Sequence, residues 1–216
     1  MKVKICGIKS ENELAIALNA GADAVGFITD VPVETPRKIS IELAASLISK
    51  VPVFVTSVMV IMPKNADHAL EMTGKAKPSA VQVHNDLDIA ELVKIRESGI
   101  KLIKTLKVSQ DSDPEALVKQ VNELKGIADA VLLDTAVGGK TGGTGVTHNW
   151  DVSAMVVRRS SLPVILAGGL IPGNVREAVE TVCPYAVDTA SGVENGGIKD
   201  EKKVREFIRN AKTYGI

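Results

Sequence analysis

Aromatic residues and net charge are the two features that this sequence has least of. Phe, Trp and Tyr together make up 3% of its 216 residues, and 26 Lys and Arg residues are balanced by 26 Asp and Glu residues. So few aromatic side chains cannot form a platform for stacking bases, and a chain without a basic excess does not attract polyanions. We therefore predict no nucleic-acid partner, and we expect a small ligand that is recognised locally.

Cysteine and long apolar runs are scarce as well. The only cysteines are Cys6 and Cys183, which argues against a disulfide framework and leaves room for a free reactive thiol. The most apolar stretch, residues 51–62, contains Pro52 and falls well short of the ~20 residues that a membrane-spanning helix needs. The first residues turn polar too early for a signal peptide. We expect no membrane partner and a cytoplasmic location, and we make no prediction of the oligomeric state.

Short segments rich in Val, Ile and Ala alternate along the chain with longer segments of helical periodicity, a pattern that predicts eight strands and eight helices. The predicted strands are residues 2–5, 24–28, 53–60, 80–83, 101–106, 130–133, 164–166 and 186–188, and the predicted helices are 11–19, 41–50, 65–73, 89–97, 114–124, 150–159, 173–181 and 201–212. Strand starts recur every ~26 residues, the length of a strand–helix unit with short loops. We predict an α/β fold, a single-domain (β/α)8 TIM barrel over residues 1–216, with a doubly wound open sheet as the alternative.

Four glycines, Gly21, Gly74, Gly99 and Gly126, each follow a predicted helix. Glycine adopts the left-handed backbone conformation at little cost, and for this reason it ends many helices. We expect all four to be helix stops.

Two reactive side chains stand where predicted strands end. In a (β/α)8 barrel the active site lies at the C-terminal ends of the strands, and Cys6 and Asp134 end the first and sixth strands. Alone, a free cysteine is often a small buried hydrophobe and a strand-end aspartate a turn former or cap, but the two together suggest an acid–base pair. Two-residue alternation places Lys4 on the same face as Cys6, where its charge would lower the pKa of the thiol.

Glycine-rich loops follow the last three predicted strands. The first, residues 138–145, contains Gly-Lys-Thr but is not a nucleotide-binding P-loop, because Asp134 stands where that motif requires a glycine. The other two loops contain Gly168-Gly169 and Ser191-Gly192. Phosphate sites in barrels are often built from the loops after strands seven and eight, so we predict that these two loops bind a phosphate group.

Three further polar residues are candidates for binding a substrate. Arg37 follows the second strand and could present its guanidinium to a carboxylate, although an exposed loop arginine is often only solvated. His84 ends the fourth strand and Asp188 the eighth. Both would face the mouth of a barrel, where Asp188 would accept hydrogen bonds from sugar hydroxyls or cap the following loop. The spacing of His68 and His148 does not resemble a metal site, and we predict no metal.

Taken in order, several short motifs resemble those of phosphoribosylanthranilate isomerases. The resemblance covers nearly the whole chain and rests on Lys4-Ile5-Cys6-Gly7-Ile8, Leu132-Leu133-Asp134-Thr135, Gly142-Gly143-Thr144-Gly145, Leu166-Ala167-Gly168-Gly169-Leu170 with Pro172 and Asn174-Val175, and Ser191-Gly192-Val193-Glu194 followed by Gly197-Ile198-Lys199-Asp200. It implies an isomerase of tryptophan biosynthesis. The implied reaction is an Amadori rearrangement of N-(5-phosphoribosyl)anthranilate to 1-(2-carboxyphenylamino)-1-deoxyribulose 5-phosphate, without a cofactor.

The resemblance also implies a role for each matching residue. Asp134 would be the general acid that protonates the furanose ring oxygen, and Cys6 the general base that removes the proton from C2′. Arg37 would bind the anthranilate carboxylate, and Asp188 would lie near the substrate hydroxyls. Together with the candidates from the strand ends, the predicted binding residues for this small-molecule phosphoribosyl substrate are Arg37, His84, Asp188, Gly143, Gly168, Gly169, Ser191 and Gly192.

The chain departs from the usual family pattern in several places. Residues 28–32 replace a more aromatic segment, Asn85 stands where glycine is common, Ala190 replaces a serine, and Thr147-His148-Asn149-Trp150 replaces a Phe-Asp-Trp ending.

Three other functions are alternatives to this family. A barrel isomerase of histidine biosynthesis is similar but uses carboxylates on both catalytic strands, and indole-glycerol-phosphate synthase depends on interior lysines. A phosphate-binding barrel without catalysis would not need both Cys6 and Asp134.

Overall fold

The computed structural model describes residues 1–135 and 147–213. Eight parallel strands pair in chain order and close into a barrel, in which the last strand pairs with the first. The strands are β1 (Lys2–Cys6), β2 (Ala24–Ile28), β3 (Thr56–Ile61), β4 (Ala80–Val83), β5 (Lys101–Val108), β6 (Ala130–Thr135), β7 (Val164–Leu166) and β8 (Ala186–Thr189). The predicted (β/α)8 barrel is confirmed, and the open-sheet alternative is wrong.

A helix follows each strand and covers the outside of the barrel. The helices are α1 (Glu11–Asn19), α2 (Ile41–Ile48), α3 (Ala66–Ala76), α4 (Ile89–Glu97), α5 (Pro114–Glu123), α6 (Trp150–Arg159), α7 (Val175–Val182) and α8 (Glu201–Lys212). Six of them begin at a short polar side chain that accepts a hydrogen bond from a backbone N–H of the first turn: Ser10, Ser40, Asn65, Asp113, Asn149 and Asp200. Such caps satisfy backbone groups that the helix itself leaves unpaired.

The strands are buried on both faces, which explains why their sequences are apolar almost throughout. Outward-facing residues such as Ile5 and Phe27 pack against the helices in one large cluster. Inward-facing residues such as Val58, Leu132 and Ile165 form a second, smaller cluster inside the barrel. The interior is therefore packed, and space for a ligand is left at the mouth.

The third strand begins later than predicted. The expected strand 53–60 is observed as β3 (Thr56–Ile61). Phe54 is fully exposed, and its backbone φ of 77° is left-handed, a conformation that a strand does not contain. The β-branched and aromatic residues before Thr56 have high strand propensity, and this misled the prediction.

Three of the four glycines predicted to stop helices do so, and the fourth does not. Gly21, Gly99 and Gly126 have φ values of 86°, 86° and 81°. Gly74 instead lies inside α3, which continues to Ala76 and ends at Lys77 with a φ of 52°. A glycine within a helix costs only about 1 kcal/mol relative to alanine, which is too little to end α3 at that point.

A short segment after β8 was not predicted. It consists of a 3₁₀ turn, Ser191–Val193, and a two-stranded hairpin of β9 (Glu194–Asn195) and β10 (Ile198–Lys199). Elements of two or three residues are too short to show a periodic pattern. In the described parts of the chain, we find neither a helix with the length and apolar character to cross a membrane nor a group of three or more His, Cys, Asp and Glu side chains that could hold a metal ion.

Candidate active site

A cavity of about 180 Å³ lies at the C-terminal mouth of the barrel. Ile28, Val60, Leu132 and Ala167 supply apolar lining. Nine residues predicted from the sequence meet there: Cys6, Arg37, His84, Asp134, Gly168, Gly169, Asp188, Ser191 and Gly192. The tenth predicted residue, Gly143, lies within 136–146 and so outside the described residues. The closed barrel therefore brings together side chains that are far apart in the sequence, as their positions at strand ends predicted.

Cys6 is the last residue of β1, and Gly26 of β2 lies opposite it. A Cβ atom placed on Gly26 would lie 2.7 Å from Cys6 Sγ and 3.1 Å from Lys4 Cε. Both distances are too short for ordinary carbon contacts. Glycine at position 26 therefore gives the thiol and the lysine stem the space that they occupy.

Lys4 links three strands inside the barrel. Its Nζ lies 3.0 Å from Asp188 Oδ2 and donates to Gln82 Oε1 at 3.1 Å. Asp188 Oδ1 is buried and has no hydrogen-bond partner within residues 1–135 and 147–213. A buried carboxylate oxygen without a partner is costly, so Asp188 is well suited to accept a hydrogen bond from a ligand hydroxyl.

The Cys6 thiol does not have the lowered pKa that the sequence suggested. Burial raises the pKa of Cys6, and the negative charge of Asp188 raises it further. The Lys4 ammonium acts in the opposite direction and lowers the pKa of the thiol, as Lys199 does. Lys4 therefore acts in the predicted direction, but the pKa of the thiol is raised overall, because desolvation is the largest effect.

Asp134 has the properties of an acid that holds its proton close to neutral pH. Burial and the nearby Asp188 carboxylate raise its pKa to about 6, although the Thr135 backbone N–H and the charges of Lys4 and Lys107 act against this. His84 Nε2 lies 3.9 Å from Asp134 Oδ2, which is too far for a direct hydrogen bond. Burial also lowers the pKa of His84, as do the charges of nearby lysines.

Arg37 reaches the cavity but is bound to a carboxylate of the protein itself. Its Nε and Nη2 donate to the two carboxylate oxygens of Glu194 at 2.9 and 2.7 Å, and Lys199 Nζ lies 2.7 Å from Glu194 Oε1. A Cβ on Gly7 would lie 2.8 Å from Arg37 Cδ, so the arginine stem crosses the backbone at that glycine. The alternative that Arg37 is only a solvated loop residue is therefore wrong, because Glu194 binds its guanidinium through two hydrogen bonds.

The loops after β7 and β8 interlock beside the cavity. Gly168 and Gly169 have φ values of 85° and 69°. A Cβ on Gly192 would lie 1.9 Å from the Leu170 carbonyl oxygen, which also accepts a hydrogen bond from Thr189 Oγ1 at 2.8 Å. Within the described chain, the N–H groups of Gly168, Gly169 and Ser191 donate to no other backbone group. Free N–H groups of this kind can bind an anion.

The sequence did not reveal the polar partners that support these side chains. Glu194 and Lys199 come from the unpredicted segment after β8, and His148 was noted only for lacking the spacing of a metal site and for its place in a departure from the family pattern. In the structure His148 is buried between Thr135 and Ser153, with hydrogen bonds to both hydroxyls. A histidine just before the helix cap Asn149, in the connection that follows the Asp134 strand, was the one available signal.

Comparison with known proteins identifies the family. A family model of N-(5'phosphoribosyl)anthranilate (PRA) isomerase matches residues 3–210. The chain belongs to the PRA isomerase family. The PRA isomerase of Methanosarcina acetivorans is 52% identical to this chain, across 100% of it and 95% of the relative.

Solved PRA isomerase structures have the same barrel. The crystal structure from Thermotoga maritima has a TM-score of 0.86 and 36% identity, with 99% of each chain covered. A crystal structure of a PRA isomerase in complex with reduced 1-(o-carboxyphenylamino)-1-deoxyribulose 5-phosphate has a TM-score of 0.83 and 34% identity, again with 99% of each chain covered. The family resemblance inferred from the motifs is confirmed.

Proposed function

We propose that this chain catalyses the Amadori rearrangement of N-(5-phosphoribosyl)anthranilate to 1-(2-carboxyphenylamino)-1-deoxyribulose 5-phosphate in tryptophan biosynthesis. Membership of the PRA isomerase family supports this reaction. The observation that carries the proposal is a single cavity shared by Cys6, Asp134 and the two glycine loops. Acid, base and phosphate anchor can therefore act on one bound molecule.

The first step needs an acid, and Asp134 is suited to that role. Its pKa of about 6 leaves part of the population protonated near neutral pH. The Asp134 proton passes to the furanose ring oxygen as the C1′–O bond breaks. The electron pair of the anthranilate nitrogen forms the new C1′–N double bond, which gives a Schiff base and leaves Asp134 ionised.

The second step needs a base, and we assign it to Cys6. The thiolate removes the proton from C2′, and the C–H electron pair forms a C1′–C2′ double bond while the C1′–N double bond returns its pair to nitrogen. The resulting enolamine tautomerises to the ketone. Because burial disfavours the thiolate, the neighbouring Lys4 ammonium is needed to stabilise it.

The remaining groups bind and orient the substrate. The phosphate is assigned to the N–H groups of the loops after β7 and β8, and a ribose hydroxyl to Asp188 Oδ1, which has no hydrogen-bond partner among the described residues. A guanidinium has five N–H donors, and two of those on Arg37 bind Glu194. We assign the anthranilate carboxylate to the other three, and Glu194 fixes the direction in which they point.

We also propose that residues 1–216 form one domain, that the enzyme works in the cytoplasm, and that it needs no cofactor, metal, nucleic acid or membrane partner. These statements rest on composition and on the reaction. Two proton transfers and a ring opening involve no external oxidant or reductant. His84 is assigned to substrate contact at the cavity wall, and Gly143 stays a prediction from the sequence.

The test is the loss of fluorescence of phosphoribosylanthranilate, generated in situ, with the wild-type protein and the Cys6→Ser and Asp134→Asn variants. Each substitution should lower kcat by about 10²-fold or more, because each removes a proton-transfer group. Cys183→Ser is the matched control: that thiol is exposed and does not line the cavity, so the rate should stay unchanged. Absence of wild-type turnover would refute the function, and near-full activity of either active-site variant would refute its assigned role.

A further inference from the structure

His148 is a buried imidazole that does not line the cavity but contacts Thr135, the residue after Asp134. Its Nδ1 is 2.9 Å from Thr135 Oγ1, and its Nε2 is 2.6 Å from Ser153 Oγ. Its backbone N–H also donates to Thr135 Oγ1, at 3.3 Å. The ring therefore connects the end of β6 to the first turn of α6 and uses both of its nitrogens.

Thr135 is held by a hydrogen bond to His148 and by close packing against Gly168. His148 holds its hydroxyl, and on the other side Gly168 packs so closely that an added Cβ would lie 2.1 Å from Thr135 Oγ1 and 2.4 Å from its backbone nitrogen. Thr135 directly follows Asp134 at the end of β6, and its backbone N–H lowers the pKa of the Asp134 carboxyl. The position of Thr135 therefore sets the direction of a donor that acts on Asp134.

The charge state of His148 suits a structural connection. Burial lowers its pKa to about 4, so the ring is neutral at physiological pH. A neutral imidazole offers one donor and one acceptor, and each hydroxyl can play the complementary part. Ser153 is fully buried, so water does not compete for the hydrogen bond to Nε2.

We propose that His148 is a positioning residue for the general acid: through Thr135 it fixes the orientation of the Asp134 carboxyl group at the cavity. The inference rests on the function proposed above and adds a residue to it that touches neither substrate nor reacting atoms. Small displacements of a reacting group can cost about 10²-fold in rate. Loss of the His148 contact with Thr135 should therefore lower kcat.

Three substitutions separate the hydrogen bonds from the volume of the ring. His148→Phe keeps a planar ring and removes both nitrogens. His148→Asn keeps a polar atom near the position of Nδ1, which contacts Thr135, whereas His148→Gln keeps one near Nε2, which contacts Ser153. Thr135 is the residue next to Asp134. The Asn variant, which keeps the contact with Thr135, should therefore retain the positioning of Asp134, and the Gln variant should lose it.

Steady-state rates are measured with the fluorescence assay. We expect His148→Phe to lower kcat by about 10-fold to 10²-fold, with KM within about threefold of the wild-type value. His148→Asn should recover kcat to within about threefold, and His148→Gln should resemble the Phe variant. Wild-type kcat in His148→Phe would overturn the proposal, as would equal losses in the Asn and Gln variants.

The pH dependence gives a readout that a purely structural role would not change. The charged and titratable groups that act on Asp134 are Asp188 on β8, Lys4 on β1, Lys107 on β5 and His84 after β4, and none of them is altered in these variants. The wild-type acid limb of kcat/KM should lie near the Asp134 pKa, about 6. The midpoint of this limb should move by about half a pH unit or more in His148→Phe, and in His148→Asn it should lie at the wild-type pH. An unmoved limb in His148→Phe would overturn the proposal.

A direct titration separates failure of this inference from failure of the proposed function. The Asp134 carboxyl pKa is measured by carbon NMR in the wild type and in each His148 variant, with circular dichroism to confirm folding. If the wild type showed no turnover, the function would be refuted, and the NMR titration would still decide the positioning role. A changed Asp134 pKa in His148→Phe supports it, and an unchanged value overturns it. If His148→Phe does not fold, the Asn and Gln pair provides the same comparison.

Discussion

Gly26 illustrates how a single hydrogen atom in place of a side chain makes room for the reactive groups. An added methyl group would meet Cys6 Sγ at 2.7 Å and Lys4 Cε at 3.1 Å. We expect Gly26→Ala to displace the thiol, to lower kcat by at least about 10-fold, and to reduce the free energy of unfolding by about 1–3 kcal/mol. Urea unfolding and the fluorescence assay measure the two effects.

Gly74→Ala is the matched control for this substitution. Gly74 lies in α3 with open space where the Cβ would be. Alanine is favoured over glycine in a helix by up to about 1 kcal/mol, so the control should be slightly more stable than the wild type and fully active. Equal behaviour of the two variants would contradict the close packing at Gly26.

Asp134 and Cys6, the proposed acid and base, both have pKa values raised above their ordinary ones. Burial raises the pKa of the Cys6 thiol and also that of Asp134, to about 6. At pH 7 the thiol is therefore mostly protonated and the carboxyl mostly ionised. The form that the proposed mechanism requires, with the proton on Asp134 and the charge on Cys6, is therefore a minority, and the two groups titrate as a pair. Below pH 6 both groups are protonated, so no thiolate is present. This explains why kcat/KM is expected to fall on the acid side of about pH 6.

At the scale of elements, Glu194 joins the loop after β2 to the hairpin after β8. It binds the Arg37 guanidinium through two oxygens and the Lys199 ammonium through one, and the Lys199 side chain is 0% exposed. We expect Glu194→Gln to lower the free energy of unfolding by roughly 3–5 kcal/mol, because two cations would lose their buried counter-charge. Urea unfolding measures the change.

An exposed ion pair provides the comparison for Glu194. Glu11 pairs with Lys50 on the surface, where the two side chains are 70% and 44% exposed. Exposed pairs contribute at most about 1 kcal/mol, so Glu11→Gln should leave the unfolding curve almost unchanged. A similar loss in both variants would show that burial of the Glu194 cluster does not determine its contribution.

Elements with a repeating pattern were predictable, and short or strained ones were not. The alternation of apolar strands with periodic helices gave the barrel and the positions of Cys6 and Asp134 at its mouth. The start of β3 was misplaced because Val53 and Phe54 have strand propensity but lie in an exposed turn. The hairpin of β9 and β10 is two residues long on each side, which leaves no period to detect.

The pairing of site residues could not be read from the sequence for a different reason. Lys4 with Asp188 and Arg37 with Glu194 are contacts between strands or loops more than 150 positions apart, created by closure of the barrel. Spacing arguments detect neighbours on one element. The spacing of residues along the strands placed Cys6 and Asp134 at one end of the barrel. It could not reveal that Glu194 accepts two hydrogen bonds from the Arg37 guanidinium.

For the whole molecule, His148 makes stability depend on pH. Its pKa is about 4 in the folded protein against an ordinary 6.5, so the unfolded chain binds the additional proton between these values. The free energy of unfolding should therefore fall as the pH drops from about 6.5 to 4, by up to about 3 kcal/mol from this group. In His148→Phe this part of the decline should be absent, as urea unfolding at pH 7 and 4.5 can measure.

Asp134→Asn is the control of opposite sign. The folded carboxyl has a raised pKa, so its contribution to stability is present below about pH 4 and is lost as the pH rises through 6. Relative to the wild type, Asp134→Asn should therefore gain stability as the pH rises. About a third of the Asp134 side chain is exposed, and solvent screening limits the gain to about 1–2 kcal/mol. If both variants had the wild-type slope, neither group would contribute to the pH dependence.

The pairing of β1 with β8 also has a consequence for how the protein is made. Lys4 lies beside Asp188 in that pairing, so β1 acquires its second neighbour only after β8, the last strand of the barrel, has been synthesised. Until then one edge of β1 is unpaired and open to association with other nascent chains. The environment that governs the Cys6 thiol is completed at the same late moment, because Asp188 belongs to the closing strand. Closure of the ring and assembly of the reactive centre are thus the same event in folding.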